Sequence, residues 1–424
     1  MKKLVSLVLT AVFAVSCCIS LSGCQAQTAP ATSGATSKAE ETTAGSKESE
    51  SEAKPAAGDF KVGAIYINSQ NDTSGYTFAH HKGITEGMKQ VGLDPSKDLY
   101  IVDNVPEDDE KVKQAIDQLA GDGCNIIFGI SFGYINAMNE KATEYPDIIF
   151  SHATGYMSNE KNFNNYFGRI YQARFLAGIA AGYKSLAIKN DNIGYVSAWG
   201  TEYAETCSGI NGFALGARSV NPNAKIHVYE ISTWGDQEKE RQAAQVLIDT
   251  YKCGVIGQHC DSAQPQIVAN EKGVFGCGYN SDMTAEAPKA HLCAAIWNWS
   301  AYYATAMKAA MTDKGSFMTT VGNYYQGLNA GLVDVSPLSS NCEPETAEAI
   351  KIAKDLMISG KWDVFSGVKL VFSGKAGAVA VEQKNDALKD NQGAEKVAAG
   401  GASVGDDVIQ GSMNYYVEGV TQVN

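Results

Sequence analysis

The chain has 424 residues, of which 44% are hydrophobic, and a formal net charge of −13 at pH 7. An acidic surplus of this size disfavours nucleic acid and anionic membrane surfaces as partners. About 365 residues follow the low-complexity N-terminal part, from Asp59 onward, and this length is too great for one ordinary hydrophobic core, so we expect two lobes.

The N-terminus has the pattern of a targeting signal. Two lysines precede an apolar run from Leu4 to Leu21, and Ser-Gly-Cys24 follows. A basic start, a short apolar stretch and small residues before a cleavage point are typical of a secretory signal peptide, here residues 1–23. The Leu-Ser-Gly-Cys sequence resembles a bacterial lipoprotein box, which implies acylation of Cys24. An ordinary signal or a single membrane span is the alternative, although the run is marginally short for a span.

Residues 24–58 contain almost no large apolar side chain and are rich in Ala, Ser, Thr and Glu. Such a composition cannot bury enough surface to offset the entropy of ordering the chain. We therefore expect a flexible tether that holds a folded domain away from the membrane.

From Lys61 the sequence alternates short β-branched runs with helical patterns. The first series of predicted strands is KVGAIYI, LYIVDNV, CNIIFGIS and DIIFSHA, and the second is DNIGYVSA, KIHVYEIS, CGVIGQH, GVFGCGY and HLCAAIWNW. Strands that alternate with helices of this length indicate parallel sheets covered on both faces. The sequence therefore predicts an α/β fold with two doubly wound parallel-sheet lobes.

The predicted strand ends are rich in aromatic, hydroxyl and amide side chains, and they hold four of the five tryptophans. Ligands of doubly wound sheets bind beyond the carboxyl ends of the strands. At the end of the last predicted strand, Trp297 and Trp299 should share one face while Asn298 points to the other. We expect the two indoles to wall a cleft, Asn298 to tie the backbone there, and Ser300 to cap the next helix.

Sequence motifs for catalysis are lacking. The chain has no Gly-rich dinucleotide loop after the first strand, no phosphate-binding loop and no G-x-S-x-G elbow. The tripeptide His259–Asp261 contains a cysteine beside a histidine, but nucleophilic sites usually bring such residues from separate segments. We expect no enzymatic activity and no cofactor.

Seven cysteines follow Cys24, and they lack the C-x-x-C spacing of a metal site, so we expect no bound metal. Small buried hydrophobic residues are the favoured interpretation, and pairing of Cys207 with Cys260 or of Cys253 with Cys277 is the alternative. The seven are Cys124, Cys207, Cys253, Cys260, Cys277, Cys293 and Cys342.

Candidate ligand contacts at the strand ends combine flat rings with hydrogen-bonding groups. A heterocycle stacked on an indole or phenol gains about 1–3 kcal/mol. The rings are Tyr76, Phe132, Trp199, Trp297 and Trp299, with Trp234 as a further candidate, and the polar groups are Ser131, His152, Gln258, His259, Asp261 and Asp282. For each aromatic residue the alternative is a core ring that shields a strand end. For Asp261 it is a helix cap and for Asp282 a turn.

Several stretches together resemble the basic membrane protein family, the PnrA-like substrate-binding lipoproteins of ABC transporters. They are GRIYQARFLAGIAAG, IGYVSA, INGFALGARSVNP, TWGDQEKERQAAQVLID, GQHCDSAQP, GYNSDM, WNW and MNYYVEGV. The resemblance implies a type I periplasmic binding protein with three strands crossing the hinge. It also implies a purine base or nucleoside held between aromatic rings, an ABC permease and ATPase as partners, and attachment to the extracytoplasmic face of the cell membrane through the lipid.

Two positions carry family features directly. Tyr76 matches the aromatic residue that stacks after the first strand, and Asp282 matches the acidic residue of the G-x-x-S-D segment. The chain departs from the nucleoside binders in the loop NSQNDTSGY and at WNW, where a lysine that addresses ribose would stand. These departures favour a free base such as adenine.

On this basis we expect a monomer whose N-terminal lobe comprises residues 59–175 with about 292–325. Its C-terminal lobe comprises residues 176–291 with about 326–424. Three alternatives remain: the same fold carrying a sugar or riboflavin, an enzyme acting on nucleosides, and a sensor domain. The sugar is disfavoured because Arg169 is the only arginine near a strand end.

Overall fold

The computed structural model describes residues 59–424. The predicted signal peptide 1–23, the tether 24–58 and the acylation site Cys24 lie outside the described residues. The strands are β1 Val62–Tyr66, β2 Leu99–Val102, β3 Ile126–Ile130, β4 Ile149–Ala153, β5 Phe163–Gly168, β6 Asn192–Ser197, β7 Lys225–Glu230, β8 Val255–His259, β9 Phe275–Asn280, β10 His291–Trp297, β11 Tyr324–Gln326, β12 Val333–Val335, β13 Val368–Ser373, β14 Ala380–Asn385, β15 Leu388–Lys389, β16 Glu395–Val397 and β17 Val420–Gln422.

Helices follow most of these strands. They are α1 Gly75–Val91, α2 Pro95–Asp98, α3 Asp109–Gly121, α4 Ile135–Glu144, α5 Ile170–Ala187, α6 Ala204–Val220, α7 Gln237–Asp249, α8 Gln264–Lys272, α9 Ser300–Thr312, α10 Phe317–Thr320, α11 Thr346–Ile358 and α12 Asp406–Gly411. None of the helices between residues 59 and 424 combines the length and the apolar character that a membrane span requires.

Local sequence explains how these helices form, and α7 is an example. The Asp236 side chain caps its first turn by accepting hydrogen bonds from the backbone N–H groups of Glu238 and Lys239, both at 3.1 Å. Ala243, Ala244 and Leu247 are buried at helical spacing and turn one face toward the sheet. The exposed residues of the helix are all polar.

Two large sheets carry the described part of the chain. The first has the order β11-β5-β4-β3-β1-β2, and every pair in it is parallel. The second has the order β12-β10-β9-β8-β6-β7-β17, and only the β10–β12 pair is antiparallel. We call the parts built on these sheets the first and second lobes. The predicted α/β fold with two parallel-sheet lobes is confirmed.

The chain crosses between the two sheets three times, after β5, after β10 and after β11. Backbone hydrogen bonds join these crossings, because Arg169 N–H donates to Gln326 O and Asn298 N–H donates to Leu332 O, each at 2.7 Å. The Asn298 side chain also donates to Gly331 O at 3.0 Å. The expected role of Asn298 in tying the backbone is thus confirmed, and the crossings form a bonded hinge.

Ser300 does not cap α9 as expected. It is the first helical residue, the N-cap position is Trp299, and the Ser300 hydroxyl donates to Asn298 Oδ1 at 2.7 Å. The expected lobe boundaries also need two changes. The chain crosses before α5, so residues 170–175 belong with the second lobe. In addition, β10 pairs with β9 and lies in the second sheet rather than in the first lobe. The crossing comes only after Trp297, at the end of that strand.

All seven cysteines between residues 59 and 424 are free thiols, and only Cys342 is not fully buried. The alternatives of a Cys207–Cys260 or a Cys253–Cys277 bridge are therefore wrong for this structure. Burial raises the pKa of the Cys253 thiol to about 12, as expected for a small hydrophobic side chain that no base activates.

Candidate ligand-binding cleft

The carboxyl ends of the strands of both lobes face one cleft, which encloses a cavity of about 70 Å³. Most lining residues end or follow a strand, in agreement with the rule for doubly wound sheets. The cavity is lined by Ile67, Tyr76, Ser131, Phe132, Thr154 and Phe167 from the first lobe and by Glu205, Trp234, His259, Asp261 and Tyr279 from the second.

The wall on the first lobe is aromatic. Tyr76 lies in the first turn of α1, and its hydroxyl donates to Ala153 O at 3.3 Å. Burial, and then the charge of Asp261, raises the pKa of Tyr76 well above its usual value, so the phenol stays neutral. Phe132 follows β3 and is 38% exposed, and its ring meets Tyr203 of the second lobe edge-on at 6.3 Å. These rings offer apolar surface to a flat ligand.

The opposite wall belongs to the second lobe and mixes an indole with polar groups. The Trp234 ring lies 6.2 Å from the His259 ring and 6.2 Å from Tyr203, between centroids. His259 Nε2 lies 3.0 Å from a carboxylate oxygen of Glu205. Burial, and then the nearby charge of Arg174, lowers the pKa of His259, so its imidazole is neutral at pH 7.

Arg174 of α5 supports this wall from behind. Its guanidinium lies 3.9 Å from the centroid of the Tyr279 ring and donates to Tyr195 Oη at 2.6 Å and to Gln258 O at 2.8 Å. The side chain is 2% exposed, so its charge acts in a poorly screened environment. This charge fixes the Tyr279 ring and offsets the charge of Glu205 beside it.

Asp261 follows β8 and reaches the cavity between the two lobes. Asn280 Nδ2 donates to its Oδ1 at 3.3 Å. Burial, and then the charge of Glu240, raises the pKa of Asp261 to about 8. At pH 7 this side chain is mostly a carboxylic acid, which can donate one hydrogen bond and accept others.

Five of the residues expected to contact ligand line the cavity, namely Tyr76, Ser131, Phe132, His259 and Asp261. The other six do not. Two of these six are held behind the wall by hydrogen bonds. His152 Nε2 is paired with Ser131 O at 2.8 Å, and the Gln258 amide donates to Cys260 O at 3.0 Å and to Ser262 O at 2.7 Å.

Trp297 and Trp299 share a face as expected, with ring centroids 4.3 Å apart and an interplanar angle of 13°. They do not wall the cavity, because His80 of α1 covers Trp299 at a centroid distance of 4.3 Å. Trp297 Nε1 donates to Tyr279 Oη at 3.2 Å. The two indoles therefore pack beside the hinge and support the lining residue Tyr279.

The remaining two residues predicted to contact ligand, Trp199 and Asp282, lie outside the cavity lining. Trp199 packs against Tyr203 and Trp234, at 5.2 and 6.4 Å between ring centroids, and does not line the cavity. Asp282 forms a turn in which its side chain accepts from the backbone N–H of Thr284 at 2.9 Å, so the alternative of a turn residue applies.

Sequence reasoning missed several lining residues, and for most of them a signal existed. Tyr279 ends a recognised strand but was not singled out, whereas Trp234 was already named as a further stacking candidate and does line the cavity. Phe167 is the penultimate residue of β5, a strand that the sequence patterns did not reveal. Glu205 lies in the first turn of α6, where an acidic residue is ordinarily read as a partner of the helix dipole.

Comparison with known proteins adds a family to this geometry. The family model Bmp, described as "ABC transporter substrate-binding protein PnrA-like", matches residues 60–362. The chain belongs to this family. As a Bmp family member it is a substrate-binding protein of an ABC transporter and not an enzyme, it acts outside the cytoplasm, and its partners are a small-molecule ligand and a permease.

Two relatives of this Bmp protein are similar to it over most of their length. A putative ABC transporter glucose-binding protein from Haloferax volcanii is 34% identical over 79% of this chain and 80% of its own. A purine-binding protein from Brucella abortus is 31% identical over 85% of this chain and 92% of its own. Among solved structures, an ABC transporter solute-binding protein from Conexibacter woesei shares the fold with a TM-score of 0.58 and 18% identity, over 72% of this chain and 98% of its own.

Proposed function

We propose that the cleft captures a purine base, adenine or a close analogue, and that the protein delivers it to an ABC permease. The observation that carries this proposal is the pairing of rings across the cavity, with Tyr76 and Phe132 on one lobe and Trp234 on the other. A base stacked on such rings gains about 1–3 kcal/mol per stacked ring. The similarity to a purine-binding protein from Brucella abortus supports the same ligand class.

The polar lining suits the edge of a purine. The carboxylate of Glu205 accepts N–H groups, and the protonated Asp261 donates to a ring nitrogen. The neutral His259, held against Glu205, adds no positive charge at the rim where the base is buried. Recognition by a few placed polar groups among rings is typical of small-molecule sites.

Cavity size favours a base over a nucleoside. The space of about 70 Å³ is less than half of the ~150 Å³ of a dry protein cavity that binds benzene. Admission of a purine base therefore requires the lobes to move slightly apart. A nucleoside, which also carries a ribose, would require a much larger separation of the lobes. Rotation about the three bonded crossings provides such opening.

A sugar is the second candidate, because the chain is also similar to a putative glucose-binding protein. Sugars demand many hydrogen-bond partners around the ring. The lining includes no arginine, and Arg169 is engaged by Asp406, with Nε 3.0 Å from its Oδ1. This cleft therefore suits a flat heterocycle better than a polyol.

Isothermal titration calorimetry of the chain from Asp59 onward with adenine, guanine, hypoxanthine, adenosine, riboflavin and glucose tests the proposal. We expect adenine to bind most tightly and adenosine at least tenfold more weakly. Absence of heat with every purine, together with binding of glucose, would show that the ligand is a sugar and not a purine base. Mass spectrometry of ligand retained through gentle purification identifies the bound ligand independently.

We further propose that the mature protein is a monomer held on the membrane by lipid at Cys24, so that released base stays near the permease. The Leu-Ser-Gly-Cys sequence at residues 21–24 supports this proposal. Metabolic labelling with a palmitate analogue checks it. We expect label on the wild type and none on Cys24→Ser, and label on both would contradict acylation at this site.

A further inference from the structure

A second cavity, larger than the cleft, lies in the second lobe and encloses about 260 Å³. We call it the hairpin cavity, because the β13–β14 hairpin and the segment after it cover the side of α5 and α6. Trp362 is the last residue within the family match, so the hairpin belongs to the part of the chain beyond that match. The cavity is thus built by the C-terminal 62 residues against the common fold.

The floor of the hairpin cavity is apolar. It includes Phe175 of α5, Leu215 of α6, Trp362 and Leu388. The rings of Phe175 and Trp362 lie 5.0 Å apart with an interplanar angle of 56°. A dry cavity of about 150 Å³ accommodates benzene, so this floor has room for one or two fused rings.

The rim is basic, in contrast to the acidic chain as a whole. It carries four basic residues, Arg218, Lys369, Lys384 and Lys389, against two acidic ones. Arg218 pairs with Glu418 at 3.1 Å and Lys369 pairs with Asp386 at 3.0 Å. Among residues 59–424, neither Lys384 nor Lys389 has an ion-pair partner.

Strand register adds an energetic argument. Lys369 of β13 and Lys384 of β14 are direct partners across the antiparallel hairpin, so their side chains leave the same face. Like charges in such positions destabilise a sheet. Lys369, Lys384, Asp386 and Lys389 line one cavity, and Lys369 Nζ lies 3.0 Å from Asp386 Oδ2. Hydrogen bonding from Lys369, helped by the charges of Lys384 and Lys389, lowers the pKa of Asp386. One carboxylate does not balance three ammonium groups, and a further anion would.

We propose that the hairpin cavity binds a small aromatic carboxylate, with its ring on the apolar floor and its carboxylate between Lys384 and Lys389. This site is separate from the cleft. Helix α6 places Glu205 in the cleft and Arg218 at the hairpin cavity, and 13 residues of helix at 1.5 Å each separate them by about 20 Å. The proposal therefore stands whether or not the cleft takes a purine.

The experiment uses 2-naphthoate as the probe and 2-naphthamide, which has the same rings but no charge, as the control compound. Both are titrated into the folded chain from Asp59 onward. We expect 2-naphthoate to bind at least tenfold more tightly than the amide. The double variant Lys384→Glu/Lys389→Glu should lose at least tenfold in naphthoate affinity while amide binding changes less than twofold. A circular dichroism spectrum and a melting temperature confirm that the variant is folded.

Two further variants locate the probe. Lys308→Glu/Lys375→Glu makes the same change in net charge at two exposed lysines that do not line the cavity, and it should bind naphthoate like the wild type. The cleft variant Tyr76→Leu should also bind it unchanged. No binding of naphthoate to the wild type would overturn the proposal, as would an equal loss in the charge control or loss of binding in the cleft variant.

Discussion

Tyr76 contributes its ring to the cleft while its hydroxyl is used inside the first lobe, where it donates to Ala153 O at 3.3 Å. If the ring is what a purine contacts, Tyr76→Phe should retain adenine affinity within about threefold. Tyr76→Leu removes the flat surface and should lose about 1–3 kcal/mol, or roughly 5- to 150-fold in Kd. Calorimetry with adenine measures both.

The comparison of these two variants separates the hydroxyl from the ring, because Tyr76→Phe removes only the hydroxyl and Tyr76→Leu also removes the flat surface. A loss in Tyr76→Phe as large as that in Tyr76→Leu would show that the hydroxyl, not the ring, matters. Trp199→Phe is a second control, because Trp199 touches Trp234 but does not line the cavity. It should leave the Kd for adenine unchanged.

Asp261 makes the free energy of unfolding depend on pH. Burial, and then the charge of Glu240, raises the folded pKa to about 8 from an ordinary value of 3.8. The folded protein therefore holds this proton more tightly than the unfolded chain. The stabilisation is complete below about pH 4 and decreases as pH rises toward 8, by at most on the order of 5 kcal/mol.

Urea denaturation of wild type and Asp261→Asn at several pH values between 4 and 9 measures this effect, because the amide cannot ionise. The stability of the wild type relative to the variant should fall steadily as the pH rises and level off above about 8. A difference that is constant over the range would show that the folded pKa of Asp261 is not raised.

At the residue scale, the sequence predicted which strand ends meet but not which of their side chains reach the cavity. The shared face of Trp297 and Trp299 followed from strand periodicity and is confirmed. That His80 stacks on Trp299 depends on a helix more than 200 residues earlier in the chain. Such contacts between distant segments have no local pattern, so core and cleft aromatics looked alike.

At the scale of secondary-structure elements, helices α5 and α6 of the second lobe pack with their backbones close together, and glycines allow this approach. A methyl group added at Gly216 would lie 2.0 Å from Phe175 O, and one added at Gly178 would lie 2.2 Å from Phe213 O. Gly216→Ala should therefore force the helices apart. We expect a loss of about 1–3 kcal/mol in the free energy of unfolding, measured by urea denaturation.

Gly121→Ala is the matched control for this change. Gly121 ends α3, and nothing lies within 4 Å of an added methyl group. Alanine favours the helix more than glycine does, so this variant should be neutral or slightly more stable than the wild type. Equal stability of Gly216→Ala and Gly121→Ala would mean that the helix pair adjusts without cost.

The predicted strands of both series are present in the structure. Strand β5 is also present, but the sequence patterns did not predict it. Its sequence FNNYFG mixes aromatic residues with two adjacent asparagines and lacks clear alternation. Asn164 is nevertheless buried, because its amide donates to Gly322 O at 2.6 Å and to Tyr302 Oη at 3.0 Å. Tertiary hydrogen bonds thus override a weak local strand pattern, and with β5 the lining residue Phe167 was missed.

Over the whole molecule, the two strand series could be assigned from sequence, but no element after Met311 was assigned. The residues after about 362 show the reason most clearly. That C-terminal part contains two hairpins, a short helix and the edge strand β17, which joins the second sheet beside β7. Its strands are short and largely exposed, so they carry little hydrophobic periodicity. The hairpin cavity, which depends on this part, was therefore invisible in the sequence.

The two lobes meet directly at Gly75, beside the cleft. Its N–H lies 3.4 Å from Ser281 Oγ of the second lobe, and its φ of 86° is in the left-handed region that favours glycine. A methyl group added there would lie 2.2 Å from Asp261 O. Gly75→Ala should therefore prevent the lobes from closing to this distance, and adenine affinity should fall by at least tenfold.

Backbone strain alone would also weaken the protein, so Gly123→Ala is the matched control. Gly123 has a φ of 84°, but an added methyl group would meet only the flexible end of Lys61, at 3.7 Å. Both variants should lose similar stability, because alanine is strained at both positions. Only Gly75→Ala should lose affinity and show a larger radius of gyration by small-angle X-ray scattering with adenine present. Equal affinities would mean that ligand capture does not require the contact between Gly75 and the second lobe.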